Sequence, residues 1–160
     1  MLQRIQSLFL TFTAICMIAM VLFPIWSKQD PGTGMSHIFN CFGLYSFNPD
    51  TGERSIKYLP YAAIGLLAFI SAGIAIFEVF QYQDRLRQIK IGAMNSLIMG
   101  VCLGGAIYFV TELDKEILPM AKGVFHAGFY LPAAGMLSNV IANRFIKRDE
   151  KIVRNSDRMR

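Results

Sequence analysis

The sequence predicts an all-α membrane protein, a bundle of four transmembrane helices, on three observations. Of its 160 residues 54% are apolar and 17% charged, against roughly 25% charged in an ordinary soluble domain. Four stretches approach the roughly 20 apolar residues that a helix needs to cross a hydrocarbon core about 30 Å thick. Most Lys and Arg residues fall at one end of those stretches. The net charge of +5 is therefore a topology signal before it is a nucleic-acid signal, because cytoplasmic loops are enriched in cations close to span ends.

The whole chain, 1–160, reads as one four-span domain. The first span covers about 8–26 and contains no Lys or Arg. It follows Arg4 as a signal peptide would, but it is too long and lacks small residues for cleavage around Pro24 and Trp26, so an uncleaved anchor is expected. The second span, about 59–80, holds one acid, Glu78, at its far end. The third, about 89–110, has only Lys90 near its start. The fourth, about 123–142, carries His126, Pro132 and Asn139. It is the most polar and should face its neighbours more than lipid. Trp26, Tyr58, Tyr61, Tyr82, Tyr108 and Tyr130 lie mostly near span ends, where amphipathic rings suit the headgroup region. Pro60 and Pro119 are expected in first helical turns.

Orientation follows the cations. Arg4, Arg85, Arg87 and Lys90, with Arg144, Lys147, Arg148, Lys151, Arg154, Arg158 and Arg160, make 11 on one side; Lys28, Arg54, Lys57, Lys115 and Lys122 make five on the other. Both termini are expected to be cytoplasmic.

Two segments lie outside the spans. In the outer loop, 27–58, the turn cluster Asn48-Pro49-Asp50-Thr51-Gly52 separates two partly alternating runs, 41–47 and 53–58. This predicts a β-hairpin, and because an isolated hairpin is marginal in water it should lean on span ends or on another protein. In the tail, 143–160, Phe145, Ile152 and Met159 recur every seven residues, as do Ile146 and Val153. The tail should continue the fourth span as a charged helix that rests on anionic lipid or packs on another chain. Without aromatic residues in the basic run, nucleic acid is not the expected partner.

Within the bundle, Gly92, Ser96, Gly100 and Gly104 stand at four-residue spacing and predict a small-residue packing ridge. Asn139 and Asn143 are candidate interhelical hydrogen-bonders, as is Asn95. Self-association through such a ridge stays open.

The sequence offers little chemistry. Glu78 is the acid within a span and by default a functional candidate, yet Arg85 and Arg87 follow closely and an interfacial ion pair is the expectation. His126 could relay a proton, but His37 sits in the outer loop and no ligand set for metal or haem is evident. Cys16, Cys41 and Cys102 form no Cys-x-x-Cys pair, and Cys41 is expected to be a free outer thiol. With no phosphate-cradling loop and no nucleophile beside a base, the expectation is a non-enzymatic protein without cofactors.

Met1-Leu2-Gln3-Arg4-Ile5-Gln6 opening into a span, Arg87-Gln88-Ile89-Lys90 leading into another, and Ala142-Asn143-Arg144 followed by Asp149-Glu150-Lys151, Arg154 and Asp157-Arg158-Met159-Arg160 resemble an uncharacterised family of four-span inner-membrane proteins from Bacteroidota. The resemblance implies location and topology, and it directs attention to the charged ends. The functional expectation is an accessory or structural subunit docking a larger membrane complex through Arg4, Arg85, Arg87, Arg144 and the cationic tail. The alternatives are a small transporter or channel using Glu78 and His126, or an anionic-lipid binder acting through the tail.

Overall fold

The computed structural model describes residues 2–158 apart from 31, 33, 83 and 118–122, with backbone alone for 2–4 and 156–158. Pro119, Lys122, Met159 and Arg160 lie outside the described residues, as do the side chains of Arg4 and Arg158.

Four helices, α1 (Leu2–Leu22), α2 (Ala62–Phe80), α3 (Arg85–Glu116) and α4 (Ala127–Arg158), pack around a ring in which α1 touches α2 and α4, and α3 touches α2 and α4. Windows in α1, α2 and α3 are long and apolar enough to cross a membrane. The bundle is apolar outside and partly polar inside. Phe12, Phe69, Phe77, Leu97, Val101 and Leu137 are exposed, whereas Thr13, Ser71, Glu78, Asn95, Ser138, Asn139 and Asn143 are buried. A soluble bundle shows the reverse arrangement, and burial of polar groups between helices is how spans hold together where lipid already solvates apolar faces.

Hydrogen bonds fix the helix register. Thr13 Oγ1 donates to the Gly135 carbonyl at 3.1 Å, and Ser138 Oγ to that of Phe9 at 2.8 Å, so α1 and α4 run antiparallel and both termini stand at one end. The ridge at four-residue spacing is not the packing face of α3. Gly92 is buried and Ser96 half-buried, but Gly100 and Gly104 are exposed and a Cβ on either would meet nothing within 4 Å. A four-residue step overshoots a 3.6-residue turn by about 40°, so three steps carry the row about 120° around the helix. The buried face instead alternates steps of four and three, through Gly92, Asn95, Met99, Cys102 and Ala106.

The other end carries an antiparallel five-stranded sheet, ordered β4-β3-β2-β1-β5 from β1 (Trp26–Gln29), β2 (Ser36–Asn40), β3 (Gly43–Phe47), β4 (Arg54–Lys57) and β5 (Val124–Phe125). The expected hairpin is β3–β4, with Phe47 opposite Arg54 and Leu44 opposite Lys57; Gly52 in its connection takes a φ of 71°, a value L side chains rarely adopt. The hairpin rests on further strands rather than standing alone. Pro24 accounts for part of this, since the residue before a proline is pushed away from helical geometry and α1 stops at Leu22 instead of reaching Trp26.

Trp26 is therefore not an interfacial ring. It is 1% exposed and packs with Ile25, Phe39, Cys41 and Leu44 in the core where sheet meets bundle. A Cβ on Gly123 would collide with its indole nitrogen. Pro60 precedes α2, whose first helical residue is Ala62. Helix α3 runs past the expected span end at Val110 to Glu116, and Lys28 of β1 reaches back to it, its Nζ 2.9 Å from both the carbonyl oxygen and Oδ1 of Asp114.

Candidate functional site

Three places hold polar or titratable groups: the interior near the charged end, the sheet end, and the extension of α4. At the first, Glu78 stands two residues before the end of α2 and is fully buried. It makes no ion pair with Arg85 or Arg87, contrary to the local reading. Arg85 Nη1 lies 3.0 Å from Asp149 Oδ2 on α4, and Arg87 Nε lies 2.9 Å from Asp84 Oδ2, whose other oxygen caps α3 by accepting the Arg87 amide. Neither carboxylate oxygen of Glu78 has a hydrogen-bond partner among the described residues.

Gly92 explains how Glu78 fits. A Cβ there would stand 2.5 Å from Glu78 Oε1, 2.5 Å from Asn143 Nδ2 and 2.7 Å from Asn143 Oδ1. The missing side chain is the space in which Glu78 of α2 and Asn143 of α4 converge. One turn earlier on α4, Asn139 Nδ2 donates to the Gly92 carbonyl at 2.7 Å and to Ser96 Oγ at 2.9 Å. Gln88 Nε2 donates to the Glu78 carbonyl at 3.1 Å, which leaves the carboxylate untouched. Gln6, buried on α1, lies at the same depth by the α1–α4 register. Asn95, also expected to bond between helices, accepts from Ser71 Oγ at 2.7 Å. Gly92 and Ser96 thus face Asn139, which bonds between α4 and α3, whereas Asn143 Oδ1 has no hydrogen-bond partner among the described residues.

At the sheet end, both histidines line one cleft of about 420 Å3. His126 Nε2 is 2.7 Å from Ser27 Oγ, and His37 Nδ1 is 2.8 Å from Ser46 Oγ. Strand pairing puts His37 opposite Lys28, so His37 shares the Lys28 face of β1 while Ser27, the partner of His126, points to the other. Burial pushes the His37 imidazole below its ordinary value, with nearby Asp30 opposing that shift and Lys28 adding to it. The two candidate transport residues stand at opposite ends, Glu78 near the charged end and His126 at the sheet end. Cys41 is a free thiol, as expected, but not an exposed one. It is buried, donates to the Met20 carbonyl at 3.2 Å, and burial pushes its pKa up to about 12.

The third place is the cationic end of α4. This helix continues unbroken through Arg158, and Arg144, Lys147, Arg148, Lys151 and Arg154 are exposed. At 3.6 residues per turn these five fall within an arc of about 120° on the side turned away from Asn139, Ala142 and Ile146. Ile146 is fully buried, yet Val153, seven residues on along the same face, is 43% exposed. The bundle-facing stripe thus runs beyond the helices that cover it.

A model of a domain of unknown function, DUF4293, matches residues 2–159. The comparison with curated proteins returns no match. With that match running from the first turn of α1 to the last residues of the tail, the chain belongs to the DUF4293 family.

Proposed function

We propose that this chain is a non-enzymatic, four-span protein of a bacterial inner membrane, with both termini cytoplasmic, that serves as an accessory subunit docking a larger membrane complex through the cationic extension of α4. The observation that carries the reading is the apolar Val153, left uncovered where the bundle-facing stripe outruns the other helices, with five cations on the opposite side of the same helix. At about 1.5 Å per residue α4 is about 48 Å long, well beyond a hydrocarbon core of about 30 Å. Its last turns therefore stand in the aqueous phase, where an exposed apolar stripe calls for a cover. A partner that covers Val153 with an apolar contact and reaches the cationic side with acidic groups is complementary to this helix, and the exposed Arg and Lys would steer it.

The test is purification from native membranes in mild detergent, comparing the full chain, a chain ending at Asn143, and the Val153→Asp variant. The proposal expects one partner in fixed stoichiometry with the full chain, lost from both altered forms. A monomer in all three overturns it. Loss of vesicle binding with the tail, steep in salt and without any protein partner, would replace it by the anionic-lipid reading.

A further inference from the structure

Buried oxygens without a hydrogen-bond partner gather near Gly92. Among the described residues, Glu78 Oε1 and Oε2, Asn139 Oδ1 and Asn143 Oδ1 all lack a hydrogen-bond partner. The orientation of Asn139 is fixed by its neighbours, because the Gly92 carbonyl can only accept and so must face the amide nitrogen. Its oxygen is then a true free acceptor. Glu78 adds a formal negative charge that no Lys or Arg among the described residues pairs with, Arg85 and Arg87 being held by Asp149 and Asp84. The buried donors without a hydrogen-bond partner among the described residues are Gln6 Nε2, Asn95 Nδ2 and Arg85 Nη1, the last 3.0 Å from Asp149 Oδ2.

A buried carboxylate without a hydrogen-bond partner is an unfavourable arrangement unless a proton or another cation joins it. Hard monovalent cations take oxygen ligands, and carboxylate with amide carbonyls is such a set. A calcium site would draw on several carboxylates, and here there is one. We propose that Glu78 and Asn143, which converge where Gly92 has no side chain, form with Asn139, whose amide nitrogen is held by the Gly92 carbonyl, a binding site for a single sodium ion within the bundle, close to its charged end. The ion neutralises Glu78 and ties α2 to α4 across α3. The site is independent of the docking role of the tail.

The experiment is thermal unfolding of the full chain in detergent, titrating NaCl against N-methylglucamine chloride at constant ionic strength and constant pH. A ligand that binds only the folded state raises the melting temperature in proportion to the logarithm of its concentration once above Kd. The expected result is a saturable onset followed by such a rise for the unaltered chain, with the rise absent in Glu78→Gln. Because Glu78→Gln could alter folding by itself, Asn143→Ala is measured alongside, and its onset should move to at least tenfold higher sodium. A melting temperature independent of sodium in the unaltered chain overturns the proposal, whether or not it varies with pH. An equal sodium response in both variants overturns it too.

Discussion

Lys28 and Asp114, 86 residues apart in sequence, are joined by a contact of 2.9 Å in which the Lys28 side chain is fully buried and that of Asp114 is 47% exposed. The pair fastens β1 to the far end of α3, and with it the sheet to the bundle. Its asymmetry sets the order of two substitutions. Asp114→Ala leaves a buried ammonium with one backbone carbonyl and should cost about 2 kcal/mol. Lys28→Met removes the charge together with its need for a partner and should cost less than about 1 kcal/mol. Thermal unfolding of the two variants checks this; Lys28→Met as damaging as Asp114→Ala would show that the ion pair itself, not the burial of a lone charge, sets the cost.

The glycines of α3 should divide sharply. Gly92→Ala places a methyl against Glu78 and Asn143 and should destabilise by about 1–3 kcal/mol, as overpacking does. Gly100→Leu and Gly104→Leu project outward into open space and should stay within about 0.5 kcal/mol. Melting in one detergent measures all three. A large loss at Gly100 or Gly104 would mean that this face is covered by another copy of the chain.

Cys41 should resist alkylation in the folded protein. With the thiol pKa pushed up to about 12 by burial, little thiolate forms at pH 8, and thiolate is the reactive species. N-ethylmaleimide should modify Cys41 only after denaturation, read by mass spectrometry. The same shift fixes a pH dependence. In the unfolded chain the thiol ionises near pH 8.5 while the folded thiol stays neutral, so stability is retained below about pH 8.5 and falls as the pH rises beyond it. Cys41→Ser should flatten that alkaline limb, and an unchanged limb would remove Cys41 as its source.

The three helices long and apolar enough to cross a membrane were legible because a long apolar run is a local property. Three of the five strands were not. Trp26–Gln29 reads as the end of a span until Pro24 is given its weight, and Val124–Phe125 becomes a strand only because β1 offers an edge. The ridge from Gly92 to Gly104 failed on helix geometry, a drift that spacing alone could have exposed. Glu78 was misread for a different reason. Arg85 and Arg87 are its neighbours in sequence, but Arg85 is claimed by Asp149 across the bundle, and a local reading holds no information about that competitor. Its convergence with Asn143 depends on three helices at once.

The central claim, a membrane bundle with the sheet on the outer side and the charged end in the cytoplasm, is tested most directly by labelling from one side. In a Cys-free background, Asp50→Cys in the β3–β4 connection and Asn155→Cys on the α4 extension both present exposed positions. A membrane-impermeant maleimide applied to intact spheroplasts should label Asp50→Cys at once and Asn155→Cys only after lysis. Labelling of both from outside, or of Asn155→Cys alone, would contradict the account.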